Sequence, residues 1–328
     1  MQQHVLVTGG AGYIGAHACK ALAEAGFVPV AFDNLSTGWR DAVKFGPFVQ
    51  GDLQDRASLD QAFSQYRPVA VMHFAALSIV PDAMRDPGRY WRVNVLGALN
   101  VIEAALAAGC LNFVFSSTCA TYGDQDGVML TEDTPQRPTN AYGASKLAIE
   151  AMLQNFSASA GLQHVIFRYF NVAGADPAAE IGEQHRPETH LIPLMLDAID
   201  GRRPALTVYG TDYPTADGTC VRDYVHVSDL VAAHVLGLRW LLNGRGNRAF
   251  NLGSGRGYSV REVIEASRSV TNRAVPVIFG ARRAGDAASL VSGSDRAVRD
   301  LGWQPARSDL PQMIRDALAW AQRPGFSG

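Results

Sequence analysis

Two side chains four residues apart, Tyr142 and Lys146, carry the clearest chemistry in the sequence. On a helix, positions i and i+4 share a face. With ten tyrosines and three lysines in 328 residues, chance gives this spacing about 0.1 times, so it is worth pursuing. A phenol accepts a proton at neutral pH only if its pKa falls from about 10 toward 7, which takes about 4 kcal/mol. An ammonium about 6 Å away, at an effective dielectric of about 20, supplies about 3 kcal/mol. A cationic ring beside it would supply the remainder. The run Ser116-Ser117-Thr118 places three hydroxyls at a predicted strand end. Any one of them could bond a substrate hydroxyl and relay its proton to Tyr142, or simply cap the strand.

The second constellation is Thr8-Gly9-Gly10-Ala11-Gly12-Tyr13-Ile14-Gly15. Gly10, Gly12 and Gly15 fit G-x-G-x-x-G, and Gly9, Gly12 and Gly15 fit an equally spaced variant. Such a pattern arises by chance about 0.3 times in a chain this rich in glycine, so its placement decides. It follows a predicted strand, 5–7, and precedes a predicted helix, 17–25. Glycines there let backbone N–H groups approach a pyrophosphate. Asp33 ends the next predicted strand, where a carboxylate accepts from an adenosine ribose and repels a 2′-phosphate. NAD is favoured over NADP. Asp52-Leu53 ends the third strand, placed to flank an adenine or merely to turn the chain.

These residues need strands to end where they sit. Short apolar runs at 28–32, 48–51, 69–72, 112–115 and 164–170 alternate with predicted helices at 57–66 (capped by Ser58), 87–108 and 142–160. That rhythm gives βαβ units and a doubly wound parallel sheet, an α/β fold of Rossmann type. After residue 171 the rhythm breaks. Pro and Gly become frequent and charges cluster in 180–188. A helix at 191–199, a strand at 206–209 and a helix at 227–242 outline a smaller mixed α/β lobe. The expected domains are 1–170 for the dinucleotide, joined by parts of 221–255, and 171–328 for the substrate.

Composition narrows the classes. Twenty-nine basic against 31 acidic residues leave a net charge of −2, which argues against nucleic acid or an anionic membrane as main partner. No apolar run reaches the about 18 residues of a membrane helix. The start, Met1-Gln2-Gln3-His4, has no basic n-region, so a cytoplasmic protein is expected. Cys19, Cys110, Cys119 and Cys220 form no CxxC, and none sits near a histidine pair at ligand spacing. They read as buried small hydrophobes in a reducing compartment, with no metal expected.

At this point the chain resembles the extended short-chain dehydrogenase/reductase family, and within it the branch that inverts C4 of nucleotide-sugars. The resemblance spans essentially the whole chain. Its motifs are VLVTGGAGYIGAH, FDNLSTG, GDL, HFAA, FSST-x-A-x-YG, YG-x-SK, RYFN-x-AGA, YG-x-DY-x-T-x-DGT-x-VRDY-x-HV, NLG-x-G and RR-x-GD. It implies a catalytic triad of Thr118, Tyr142 and Lys146. It implies that Gly9, Gly12, Tyr13, Ile14, Asp33, Asn34, Asp52, Leu53, Phe74, Ala75 and Asn94 surround NAD, with Tyr142, Lys146, Tyr169 and Phe170 by the nicotinamide. Asn171, Leu191, Tyr209, Arg222, Arg283 and Asp286 would face a UDP-hexose, the two arginines clamping its diphosphate. The implied activity is reversible 4-epimerisation of UDP-glucose and UDP-galactose through a 4-ketose, with NAD held tightly. The alternative is the same inversion on a UDP-pentose or UDP-N-acetylhexosamine. Corresponding helices in the family pair across a two-fold axis, so a homodimer is implied.

Three departures stand out: Ser78 replaces a lysine of some members, His190 an asparagine, and Leu290 a residue whose volume is expected to govern a 2-acetamido group. A 4,6-dehydratase would need an acid–base pair where Cys119 and Ala120 stand. A dinucleotide sensor would not need the Tyr/Lys pair.

Overall fold

A parallel strand buried on both faces must be apolar throughout, and the first strand is: Val5, Leu6 and Val7 are fully buried. The computed structural model describes residues 2–125, 127–283, 286–323 and 325–327; Met1, and Ala284 and Gly285 of the RR-x-GD motif, lie outside them. The strands are β1 His4–Thr8, β2 Val28–Asp33, β3 Phe48–Gln50, β4 Ala70–His73, β5 Asn112–Thr118, β6 Met129–Leu130, β7 Gln163–Tyr169, β8 Asn171–Ala173, β9 Leu206–Tyr209, β10 Val221–His226, β11 Arg248–Leu252, β12 Gly257–Ser259, β13 Val277–Gly280 and β14 Ser289–Ser292. The α-helices are α1 Tyr13–Glu24, α2 Arg56–Tyr66, α3 Val80–Arg85, α4 Pro87–Tyr90, α5 Gly97–Ala107, α6 Ala141–Ala160, α7 Leu191–Ile199, α8 Val227–Leu242, α9 Val260–Thr271 and α10 Leu310–Ala321.

Seven strands form one sheet in the order β11-β7-β5-β4-β1-β2-β3, every pair parallel. This is the Rossmann-type doubly wound fold expected. Leu22 of α1 and Leu230 and Leu238 of α8 pack on one face, and Leu59, Ile102 and Ile149 from α2, α5 and α6 on the other. β11 and α8 come from the C-terminal half, so the chain returns to complete the first sheet. The second lobe has its own core of Ile192, Met195, Val263, Met313 and Ile314 from α7, α9 and α10. Its small sheets run β12-β10-β14-β6, with β8 also paired to β10, and β13-β9.

Several boundaries differ from expectation for local reasons. α1 starts at Tyr13 rather than residue 17, because Gly12 already stands in the extended N-cap position. Asp55, not Ser58, caps α2, accepting from Ala57 N at 3.1 Å. The expected helix at 87–108 begins as α4, and the preceding α3, opened by a proline in its first turn, was not anticipated. Between α4 and α5 the helix widens into a π-helical stretch, Trp91–Leu96, a distortion often found at functional sites.

Candidate active site

The loop after β1 turns tightly because Gly9 adopts φ +72°, where a Cβ would sit 2.7 Å from Ala75 N. A Cβ on Gly15 would land on the Gly9 carbonyl oxygen. The backbones of this loop, of the turn after β4 and of the start of α1 are thus packed as only glycine allows. α1 opens with no side-chain cap and no acidic residue in its first turn, which keeps its positive dipole end available to an anion. Asp33 anchors the same loop: its Oδ2 accepts from Ala11 N at 3.0 Å and its Oδ1 from Leu35 N at 2.8 Å. Burial raises its pKa against those two bonds. Asn34 donates to Asp52 at 2.7 Å, so the ends of β2 and β3 are tied. Phe74 and Ala75 leave β4 with their N–H groups on the Thr8 carbonyl. Leu53 is nearly fully buried in the core under α2 and α5. Asn94, in the π-helical stretch, accepts from Leu77 N and donates to Leu77 O and Ser145 Oγ. It therefore fixes the chain after β4 against α6.

Asn140 caps α6, accepting from Gly143 N at 2.9 Å, and the helix carries Tyr142 and Lys146 to the end of β5. Lys146 is buried, donates to the Ser116 carbonyl at 2.7 Å and lies 5.0 Å from the centre of the Phe115 ring. Burial pulls its pKa down to about 7, with Glu150 opposing. Burial drives the Tyr142 phenol well up, the Tyr169 phenol nearby adds to this, and a hydrogen bond with the Thr118 side chain acts the other way. The lowered phenol expected from the sequence is thus not delivered by the protein alone, because desolvation disfavours the charge on both partners. The ammonium that would stabilise a phenolate is itself held at the edge of ionisation.

Thr118 is the hydroxyl of its run that meets Tyr142. Ser116 Oγ pairs with Tyr169 OH, and Ser117 donates to Glu150 at 2.5 Å. Glu150 is the residue the sequence reading missed. It continues the Tyr142–Lys146 face by one more turn, and forms a buried ion pair with Arg168 at 2.6 Å. Arg168 also reaches Tyr122 OH at 3.1 Å, and Tyr122 donates to Asn251 Oδ1 at 2.6 Å. The spacing 142, 146, 150 was the available signal.

The second lobe brings the remaining residues together. β8 continues directly from β7 past Phe170 and pairs with β10, setting Asn171 opposite Tyr224. Arg222 stands opposite Leu290 on β14 and 3.8 Å from Asp286. Its charge reaches the Cys119 thiol beside Thr118. Arg283 lies 3.9 Å over the Tyr209 ring. Leu290 packs against the cluster of Cys119, Tyr122, Leu130 and Phe170. Leu191 opens α7. Tyr13 turns its hydroxyl to the Gly174 carbonyl at 2.6 Å, so its ring bridges the glycine loop to this lobe.

Fold and site together define a dinucleotide-using enzyme. Residues 5–253 match the model of the NAD dependent epimerase/dehydratase family, and the chain belongs to that family. A UDP-glucose 4-epimerase of Rhizobium leguminosarum bv. trifolii is 49% identical over 316 residues, 96% of each chain. The crystal structure of UDP-glucose 4-epimerase from Brucella ovis in complex with NAD matches with a TM-score of 0.94 at 47% identity, covering 97% of this chain and 98% of that one. A second crystal structure of a UDP-glucose 4-epimerase gives a TM-score of 0.95 at 50% identity over 98% of each chain.

Proposed function

We propose that this chain interconverts UDP-glucose and UDP-galactose by oxidising and re-reducing C4 of the hexose, with NAD kept bound throughout. The observation that carries the reading is that Tyr142 meets Thr118 at the end of β5 while Lys146, one turn further along α6, donates to Ser116 of the same strand, with Arg222 electrostatically within reach of that strand end. The residues suit NAD. Side-chain-free packing at Gly9 and Gly15 leaves backbone and a helix end for the pyrophosphate, and Asp33 offers carboxylate oxygens to a ribose while excluding a phosphate there. Lys146 is a buried amine that, among the described residues, donates to the Ser116 carbonyl. When bound, NAD supplies a reversible hydride acceptor for C4.

The chain's own residues handle everything else. Tyr142 takes the proton of the sugar 4-OH and later returns it, and Thr118 orients that hydroxyl. Lys146 stabilises the phenolate. The ketose, tethered by its UDP, turns and presents its other face before the proton is given back. Arg222 and Arg283 hold the diphosphate during that turn. Cys119 and Ala120 offer no acid–base pair, so elimination of water does not compete. The alternative substrate, a UDP-N-acetylhexosamine, turns on Leu290, which the resemblance marks as the volume gate.

The test is Tyr142→Phe. Turnover of UDP-galactose, with no NAD added, should fall about 10³-fold while the dinucleotide still copurifies. Near-normal turnover would refute the assignment, and equal turnover of UDP-N-acetylglucosamine by the unaltered enzyme would favour the alternative. We also propose a homodimer built on α6 and on α4 and α5 with the π-helical stretch between them, where Trp91 and Leu96 are 43% and 44% exposed. Sedimentation as a monomer at micromolar concentration would exclude it. Among the described residues no helix is long and apolar enough to cross a membrane.

A further inference from the structure

Next to this site, one short segment that leads into Leu191 gathers metal-type donors: Glu183, His185, Glu188 and His190, in the pattern E-x-H-x-x-E-x-H before α7. One ligand atom from each of the four lies within 4.8 Å of all the others. His190 Nδ1 is 2.8 Å from Glu183 Oε1 and 2.9 Å from Glu188 Oε1. His185 Nδ1 is 3.3 Å from Glu183 Oε1 and 3.5 Å from Glu188 Oε2. Ligands bound tetrahedrally at about 2.0–2.1 Å stand roughly 3.3 Å apart, so the two His185–carboxylate contacts already have the edge length of such a site, and the two His190 contacts lie at hydrogen-bond length, somewhat below it.

A second observation separates this group from an ordinary charged loop. His185 Nδ1 is shut off from solvent and makes ion-pair contacts to both carboxylates without a well-directed hydrogen bond to either. An N–H donor must point at one oxygen to gain from it. A ring lone pair that shares a cation with those oxygens points between them instead. The segment is also pinned before any ion arrives. Trp320 Nε1 donates to the Glu183 carbonyl at 2.9 Å and Trp39 Nε1 to the Gln184 carbonyl at 2.8 Å. Glu188 Oε1 accepts from Thr189 N at 2.7 Å and His190 N at 2.8 Å, the kind of outer contact that orients a ligand. A cavity of about 320 Å³ lined by Glu183, His185 and Glu188 gives access.

We propose that Glu183, His185, Glu188 and His190 form a four-ligand site for one divalent transition ion of the zinc class. Two imidazoles disfavour calcium and magnesium, which take oxygen ligands. Two carboxylates balance the charge of the ion, and four protein ligands close its shell, so its role is structural rather than catalytic. The ion clamps the segment that leads into α7. The sequence reading expected no metal because it examined the cysteines and noted 180–188 only as a cluster of charges. This inference does not depend on the sugar or the dinucleotide.

The test uses the full-length protein. Chain stripped with a chelator and desalted is equilibrated with Zn²⁺ in the low micromolar range and passed through gel filtration, and bound metal is measured by mass spectrometry. Co²⁺ in its place reports coordination through its visible absorption. One Zn²⁺ per chain is expected, with Co²⁺ bands of tetrahedral intensity and no retained Mg²⁺. His185→Ala and Glu188→Gln should each weaken Zn²⁺ binding at least about tenfold, with circular dichroism unchanged to show that they fold. Less than a tenth of an equivalent on the unaltered chain overturns the proposal. So does equal binding by folded variants, which would place the ion elsewhere on the surface.

Discussion

Beneath the catalytic end of β5 the supporting side chains are closed in. Arg168 and Glu150 are 7% and 2% exposed in their ion pair, and Ser117, Tyr122 and Asn251 complete the network around them. In the second lobe the residues assigned to the diphosphate are loosely held. Arg222 and Asp286 stand 3.8 Å apart with the carboxylate 34% exposed, and Arg283 rests on a Tyr209 ring that is itself exposed. The contrast follows from what each region must do. On the proposed mechanism the proton-transfer groups need one fixed geometry, which supports satisfied within the fold provide. On the same mechanism the clamp has to accept a charged ligand and keep hold of it while the hexose turns. Among the described residues Arg222 meets the Val221 carbonyl at 2.8 Å and a carboxylate at 3.8 Å, and Arg283 a ring, so neither is locked in a short ion pair. Damage to the first region should cost stability and activity together, whereas damage to the second should cost binding.

The largest effect expected is acid lability of the nucleotide lobe. His17, His73, His164 and His234 are at most 4% exposed. Burial lowers His17, His164 and His234 to about 4 and His73 to about 3. Their folded pKa values lie below the unfolded value near 6.5, so below that pH the unfolded chain binds more protons and stability falls. Stability is full above pH 6.5 and is lost as pH drops toward 4, by about 2 kcal/mol per histidine at pH 4.5. Four such groups rival the whole stability of a domain, about 5–15 kcal/mol. Urea unfolding followed from pH 7 to 4.5 should show a steep decline. A flat profile would mean that these rings are not desolvated, and the contrast between the two regions would lose its basis.

Next in size is the ion pair. Glu150→Gln removes the charge that neutralises a buried guanidinium, and should cost about 3 kcal/mol of unfolding free energy. It should also lower turnover, because Ser117 and the end of β5 lose their anchor. If urea midpoints stay unchanged, the network is decoration.

The parts legible in the sequence were those written in local patterns. Parallel strands announced themselves as short apolar runs, and α7, β9 and α8 fall at the expected residues because their periodicity is strong. Tyr142 and Lys146 were visible because a helix turns a spacing into a shared face. Glu150 stayed hidden because its meaning depends on Arg168 of β7, a partner that only the sheet brings near. The small sheet of β6, β8, β10, β12 and β14 was unreadable for a similar reason. Its strands run from two to six residues, and pairing across long sequence separations leaves no period to detect. The cap of α2 was misplaced by three residues because serine and aspartate compete for that role, and only geometry shows which oxygen meets the first-turn N–H groups.

The smallest effect tests the open side of the comparison. Arg283 is exposed and makes no ion pair among the described residues; its guanidinium lies over the Tyr209 ring. An arginine poised this way loses little when it turns to a diphosphate, because no carboxylate has to be abandoned. Its removal leaves no buried charge uncompensated, so Arg283→Ala should not shift the urea midpoint. It should raise KM for UDP-galactose about tenfold, equivalent to about 1.4 kcal/mol of binding. The interaction is made equally in the ground and transition states, so kcat should stay nearly constant. A fall in kcat at constant KM would instead tie Arg283 to the reacting geometry. The clamp would then share the rigid role of the buried network, and the division between a fixed catalytic edge and a yielding anchor would have to be redrawn.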